Sequence, residues 1–96
     1  MTSVRTRQFK KLFARLPTHV QKIARRKFEL FMQNPRHPSF HRRIVQSTSH
    51  LAHPHHEFRI TGINGIPGDY RATCFIDEAT YVWVFIGTHA DFDQAY

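Results

Sequence analysis

The chain has little cysteine, little acid and no long apolar run. Its single cysteine, Cys74, excludes an internal disulfide framework and fits a reducing compartment. No run approaches the ~20 apolar residues of a membrane-spanning helix, and no N-terminal stretch resembles a signal peptide. We therefore expect a cytoplasmic protein that does not associate with membranes. Its 96 residues allow one domain with one modest core, spanning residues 1–96.

Acidic residues are outnumbered two to one, with 7 Asp and Glu against 14 Lys and Arg. The net charge is +7 with histidines neutral, and the pI is about 10.3. Such a balance favours a polyanionic partner: nucleic acid, an anionic membrane surface or an acidic protein. Charge alone does not choose among these partners.

The sequence also lacks the common motifs for metals and cofactors. It has no C-x-x-C and no H-E-x-x-H, and "GINGIPG" leads into a strand rather than into a helix N-terminus. The cluster "HPHH" contains His53, His55 and His56, but His55 and His56 point to opposite faces of a predicted strand. We therefore predict no metal site and no cofactor. Cys74 lies on the predicted core face, where it would be unreactive.

Apolar spacing predicts two consecutive helices in the first third of the chain. Phe9, Leu12, Phe13 and Leu16 share one helical face, Pro17 interrupts, and a T-x-x-Q spacing from Thr18 predicts a capping box for the second helix. "NPRHP" ends that helix, because a residue before proline avoids helical torsions. The two helices are expected to form an N-terminal hairpin with a strongly basic outer side.

The rest of the chain alternates as strands do. "FHRRIV" is a candidate short strand, "HHEFRIT" alternates cleanly, "GINGIPGD" (Gly62 to Asp69) predicts a loop, and two strands follow in "GDYRATCFIDEATYVWVFIGTH". We predict an α+β fold: the helical hairpin packed on a small, mostly antiparallel sheet, with a short C-terminal tail.

Alternation assigns the aliphatic residues of the last two strands to the helix-covered face, including Val82, Val84 and Ile86. The opposite face then carries cations and aromatic rings, which suit the phosphates and unstacked bases of single-stranded RNA. The alternative is that "TSVRT" or "ADFDQAY" covers the rings as a second small core, since exposed Trp and Phe patches are unusual. The residues assigned to this open face are Arg59, Arg71, Tyr81, Trp83, Phe85 and His89.

The order "NPRHP", "EFRIT", "GDYRATCFID" and "VWVFIGTHADFD" resembles the RelE/ParE superfamily of bacterial toxins over nearly the whole chain. The "IGTH" ending is similar to that of the RelE-type messenger-RNA endonucleases. The resemblance implies a toxin of a type II toxin–antitoxin pair that cleaves messenger RNA on the ribosome without a metal. It also implies an acidic antitoxin that wraps the toxin in a hetero-oligomer.

The resemblance also implies site residues. Arg71 matches the arginine of the family's "gdYR" motif, Arg59 a basic residue on the preceding strand, and His89 the histidine of "GTH"; these three are the predicted catalytic residues. Many relatives carry a tyrosine near the chain end, whereas this chain has Phe92 after "GTHAD" and a later candidate in Tyr96.

The chemistry of metal-free RNA cleavage needs the same residue types. A histidine moves protons near neutral pH, and an arginine stabilises charge on the attacked phosphate. His55 and Glu57 are candidates for a second acid–base group, with Tyr96 as a further candidate or substrate contact. We assign RNA binding to Arg42, Arg43 and Trp83. The alternative function is a noncatalytic toxin: a gyrase inhibitor like the ParE branch, or a degenerate relative that binds RNA or antitoxin.

Overall fold

The computed structural model describes residues 2–60 and 69–96 as an α+β fold. Its five strands form one sheet in the order β1-β5-β4-β3-β2, in which only the β1–β5 pair is parallel. The predicted fold class and mostly antiparallel sheet are thus confirmed. The strands are β1 Thr2–Arg5, β2 Arg43–Ile44, β3 His55–Arg59, β4 Tyr70–Asp77 and β5 Thr80–Thr88, and the α-helices of this part of the chain are α1 Arg7–Ala14, α2 Thr18–Gln33 and α3 His89–Ala95.

The N-terminus begins with a strand rather than a helix. β1 pairs with β5, and the Thr6 side chain accepts a hydrogen bond from the Phe9 backbone N–H to cap α1. The two predicted consecutive helices are present, but they follow a strand and do not begin the chain. The reason is that "TSVR" contributes an edge strand to the sheet before α1 begins.

The predicted capping box at Thr18 is wrong. Pro17 is the N-cap of α2 and no side chain caps this helix. The Gln21 amide instead donates to the Phe13 and Leu16 carbonyl oxygens, at 3.1 Å each, and so satisfies the C-terminal end of α1. α2 ends before Asn34, as the following proline predicts.

The C-terminal segment is a helix rather than a tail. The Thr88 hydroxyl accepts from the Asp91 backbone N–H at 3.0 Å, and Asp91 Oδ2 accepts from the Thr88 N–H at 3.3 Å. This reciprocal pair is a capping box at the start of α3. Gly87 lets α3 approach β5 closely, since a Cβ there would lie 3.1 Å from Asp91 Oδ2 and from the Phe85 ring.

Aromatic rings fill the core between the first two helices and the sheet. Phe31 of α2 lies at their centre, with Phe40, Phe58, Tyr81 and Trp83 around it at centroid separations of 5.0–5.9 Å in edge-on geometry. Cys74 lies in the same core, as predicted, and burial raises the pKa of its thiol to about 12.

A β-bulge changes the parity of β5. The register runs from Thr73 opposite Phe85 to Cys74 opposite Trp83, so Val84 is an additional residue without its own partner. Side chains on either side of Val84 therefore do not follow one continuous alternation.

The bulge overturns part of the predicted face assignment. Tyr81 and Trp83 lie on the helix side, and Trp83 is only 5% exposed. Val82 lies opposite Phe75, away from the helices, while Ile86 is on the helix side as predicted. Trp83 donates from Nε1 to Ser3 Oγ at 2.8 Å. The prediction that Trp83 stacks on RNA is therefore wrong, because its ring is buried in the core.

The other face of the sheet carries a second small core. Phe85 packs against Phe92 and Tyr96 of the C-terminal segment, and Val45 joins the same cluster. This confirms, for Phe85, the alternative that "ADFDQAY" covers an aromatic ring. α3 therefore covers part of this face.

The predicted loop from Gly62 lies outside the described residues up to Gly68, and Asp69 is its first described residue. No helix within residues 2–60 and 69–96 is long and apolar enough to cross a membrane.

Candidate functional site

Polar and charged side chains line the face of the sheet beside α3. In the β3–β4 ladder, Arg59 lies directly opposite Arg71 and Glu57 opposite Thr73. Because directly paired residues point to the same side, these four side chains share one face. Two arginines opposite each other repel, and this repulsion requires nearby negative charge.

Glu57 supplies the first negative charge. Its Oε1 accepts from Arg43 Nε at 2.6 Å and from Arg71 Nη1 at 2.8 Å. Glu57 and Arg71 are 6% and 8% exposed, so both charges are held away from water. A carboxylate shared by two guanidiniums is a structural partner that fixes the position of Arg71.

Asp69 lies between the two residues that the sequence assigns to catalysis. Its Oδ2 is 3.3 Å from Arg71 Nη2 and 3.8 Å from His89 Nδ1. The backbone N–H of His89 also donates to the Asp69 carbonyl oxygen at 2.7 Å. Arg71 and His89 therefore meet at one carboxylate, which agrees with the prediction that they lie close across an antiparallel pair.

The imidazole of His89 is accessible. Its side chain is 47% exposed, its Nε2 lies 3.4 Å from Asp93 Oδ2, and its ring stacks on Phe92 at 6.3 Å. The Arg71 guanidinium lies over the same Phe92 ring, with its central carbon 5.6 Å from the ring centroid. Phe92 thus serves as a common support for both groups.

Two polar atoms at this position have no hydrogen-bond partner among the described residues. They are Arg71 Nε and Asp69 Oδ1, and both are buried. A buried donor and a buried acceptor without partners are costly, and native proteins keep such groups where strain, a water or ion, or a catalytic role accounts for them. The contact of Arg71 with Asp69 is also longer than its contact with Glu57. Asp69 is therefore the partner that a ligand would displace more readily.

A second cluster surrounds the Tyr96 hydroxyl. It lies 2.6 Å from His55 Nδ1 and 2.7 Å from Thr73 Oγ1. Burial raises the pKa of Tyr96 above its ordinary value, an effect that the hydrogen bond to Thr73 opposes. Burial lowers the pKa of His55. Both groups are thus favoured in their neutral forms, linked by a hydrogen bond.

The remaining predicted residues separate by face. Most of them lie on the α3 side of the sheet, whereas Arg42 does not. The residues on the α3 side are Arg43, His55, Glu57, Arg59, Arg71 and Tyr96. The Arg42 guanidinium lies over the rings of Phe58 and Tyr81 on the helix side, 5.3 and 5.7 Å from their centroids. Arg43 begins β2 and contacts Glu57, whereas Arg42 precedes the strand and packs its guanidinium on the helix side.

Sequence reasoning missed Asp69, Thr73, Phe92 and Asp93 as parts of this site. Signals for α3 were present: Thr88 and Asp91 have capping-box spacing, and Phe92 and Tyr96 are four residues apart, as on one helical face. No local sequence signal indicated the role of Asp69, because its position between Arg71 and His89 arises from tertiary contacts.

No group of three or more His, Cys, Asp or Glu side chains within residues 2–60 and 69–96 has the geometry to hold a metal ion. Comparison of the chain with protein-family models, curated proteins and solved structures finds no match.

Proposed function

We propose that this protein is a RelE-type endoribonuclease, the toxin of a type II toxin–antitoxin pair that cleaves messenger RNA on the ribosome in the cytoplasm. The observation that carries the proposal is the meeting of Arg71 and His89 at one carboxylate. That position brings together an accessible proton carrier and a fixed guanidinium, as phosphodiester cleavage without a metal requires.

The proposed reaction is attack of a ribose 2'-oxygen on the adjacent phosphorus. The 2'-O–P bond forms as the P–O5' bond breaks, leaving a 2',3'-cyclic phosphate and a 5'-hydroxyl end. One group removes the 2'-OH proton and another protonates the departing 5'-oxygen. His89 takes one of these two roles, since a neutral imidazole accepts and an imidazolium donates a proton near neutral pH.

Arg71 stabilises the additional negative charge on the phosphate in this scheme. Glu57 holds the guanidinium in place from one side, and the substrate phosphate replaces Asp69 on the other. Preorganisation of this kind costs no rearrangement of Arg71 itself during the reaction. Arg59, opposite Arg71, adds a second positive charge for the RNA backbone.

The second acid–base group in the proposal is the pair of Tyr96 and His55. They are hydrogen-bonded to each other at 2.6 Å and lie beside Glu57, whose charge contributes to the raised pKa of Tyr96. Glu57 itself is a positioning residue, because its carboxylate oxygen is occupied by two guanidiniums.

The test is cleavage mapping of messages after induced expression of the protein. His89→Ala should reduce cleavage about 10²- to 10⁴-fold, the range for one positioned acid or base, and spare ribosome binding. The substituted side chain is half-exposed, so folding should be preserved. His53→Ala is the matched control, as its exposed imidazole contacts only the Ile76 carbonyl oxygen and the Phe75 ring among described residues. Full toxicity of the His89 variant with an inactive His53 variant would move the site to the histidine cluster.

Metal independence is tested separately. Cleavage should survive EDTA when the ribosome is kept intact, and loss of cleavage with EDTA on intact ribosomes would contradict a metal-free reaction. The proposed antitoxin is acidic and covers the face with Arg59, Arg71 and His89, since charge complementarity steers association. Protection of that face in hydrogen exchange on adding the antitoxin is the expected result.

A noncatalytic binding protein, directed at gyrase, RNA or the antitoxin, is the second candidate. It is favoured by one observation: Arg71 is almost fully buried and already bound by two carboxylates. Toxicity without mapped cleavage sites would support this candidate over the nuclease.

A further inference from the structure

A second cationic position lies on the other side of the β2 edge from Glu57. It is a cavity of about 480 Å³ between the turn that follows α2 and the edge strand β2. Neither Asp nor Glu is among the described residues that line it. Its charged and titratable lining residues are Arg36, His37, His41, Arg42, Arg43 and His56.

The hydrogen bonds of two lining histidines, His37 and His56, identify which ring nitrogen of each accepts. His37 Nδ1 accepts from the Ser39 backbone N–H at 3.1 Å, and His56 Nδ1 accepts from Arg42 Nε at 3.4 Å. An accepting Nδ1 is unprotonated, so each ring carries its hydrogen on Nε2. Each neutral imidazole therefore keeps an N–H donor at Nε2.

Arg42 adds a donor that lacks an acceptor. Its Nη1 is buried and has no hydrogen-bond partner within the described part of the chain. The guanidinium is held in place by the rings of Phe58 and Tyr81. A fixed, buried and unpaired guanidinium N–H requires an acceptor oxygen to offset its desolvation.

The charge around the cavity points to an anion. Three arginines without a lining carboxylate repel one another, although Arg43 is partly neutralised by Glu57. Burial and the charge of Arg42 lower the pKa of His56, as expected where cations accumulate. His41 completes the lining from a left-handed backbone conformation, φ 46°, which costs energy for a residue other than glycine and is characteristic of functional turns.

We propose that this cavity binds a phosphate group, with Arg42 and the Nε2 hydrogens of His37 and His56 as its donors. A phosphate group offers at least two acceptor oxygens and a negative charge, one in a phosphodiester and up to two in inorganic phosphate, which match a guanidinium fork and neutral N–H donors together. The source that we assign is a backbone phosphate of RNA flanking the cleavage position. That assignment of source rests on the proposed function, whereas the phosphate site itself does not.

The first experiment uses inorganic phosphate as the probe. It is titrated into the full chain at constant ionic strength, and the imidazole resonances of His37 and His56 are followed by NMR. Phosphate should shift both resonances and raise the pKa of His56. Arg42→Gln should weaken phosphate binding roughly tenfold or more, as expected for loss of a charge-assisted hydrogen bond.

Two control variants distinguish a specific phosphate site from nonspecific attraction by the positively charged surface. Arg42 packs on two rings, so Arg36→Ala provides a second variant on the cavity lining that leaves the aromatic core intact; it should weaken binding several-fold. Arg26→Ala removes the same charge from an exposed position of α2 and should leave affinity unchanged within twofold. Equal losses in the Arg36 and Arg26 variants, or no phosphate shift of His37 and His56, would overturn the phosphate site.

A short single-stranded RNA oligonucleotide tests the source. It should shift the same two histidine resonances and compete with inorganic phosphate. If phosphate shifts them and RNA does not, the cavity serves a free anion and the RNA assignment is wrong. Tighter binding of succinate than of phosphate would point to an acidic protein and overturn the proposal. The His89→Ala protein should keep the phosphate response, so failure here is distinguishable from failure of the nuclease proposal.

Discussion

Removal of Arg71 should destabilise the fold strongly, quite apart from any effect on chemistry. Arg71→Ala leaves the buried carboxylate of Glu57 with one guanidinium, that of Arg43, whose side chain is 66% exposed. Breaking a buried ion pair by removing one partner costs about 3–5 kcal/mol. Because Arg43 remains, we take the lower end, about 3 kcal/mol.

That loss is large against the total stability of such a domain. A chain of this length has a free energy of unfolding of roughly 5–14 kcal/mol. At about 4–8 °C for each kcal/mol, the melting temperature of Arg71→Ala should fall by roughly 12–24 °C. Thermal and urea unfolding measure the change directly. Arg59→Ala is the matched control, because Arg59 lies opposite Arg71 and has no ion-pair partner among the described residues; it should cost under about 1 kcal/mol.

A double-mutant cycle tests the cause. The double variant Glu57→Gln, Arg71→Gln should lose less unfolding free energy than the two single variants added together. The difference should be at least about 1 kcal/mol, since residues in one ion pair couple. Additive costs, or a loss for Arg71→Ala below about 1 kcal/mol, would refute the argument from the buried pair. For the same reason, cleavage by Arg71 variants must be measured at a temperature where they remain folded.

Three further predictions concern other parts of the chain. Burial lowers the native pKa values of His55 and His56 below their ordinary 6.5, so their contribution to stability is complete above that pH and is lost as pH falls through the native values. At pH values below 6.5 the urea concentration at the unfolding midpoint should therefore decrease, and it should decrease less in the His55→Gln, His56→Gln double variant. Trp83, the single tryptophan, should resist iodide quenching, and quenching by added RNA would contradict its buried position. Tyr96→Phe leaves Thr73 and His55 without the hydroxyl and should cost about 1–2 kcal/mol in unfolding, whereas an unchanged midpoint would count against these hydrogen bonds.

Much of this fold was predictable because local patterns act over short distances. The proline after Asn34 ends α2, alternation predicts β3, and the core position of Cys74 follows from the pattern of β4. The closeness of Arg71 and His89 was also predictable, since neighbouring antiparallel strands bring the start of one beside the end of the other.

Other parts depend on tertiary contacts that leave no local signal. Tyr81 to Phe85 alternates without interruption, so the additional residue at Val84 is invisible in the pattern. Gln21 satisfies α1 rather than capping α2, because the short connection brings the end of α1 within reach. The position of Asp69 depends on the pairing of β4 with β5.

The additional residue in β5 divides the strand into two segments. Before Val84, Tyr81 and Trp83 pack in the aromatic core against α1 and α2. After it, Phe85 joins the second core, Ile86 returns to the aromatic core, and the strand end leads into α3 and the histidine of the proposal. A single-residue deletion at Val84 would restore regular pairing and rotate one segment by half a turn about the strand axis. Substitutions of core residues in either segment, such as Trp83 or Ile86, should therefore lower thermal stability, whereas substitutions at the strand end should alter the position of His89.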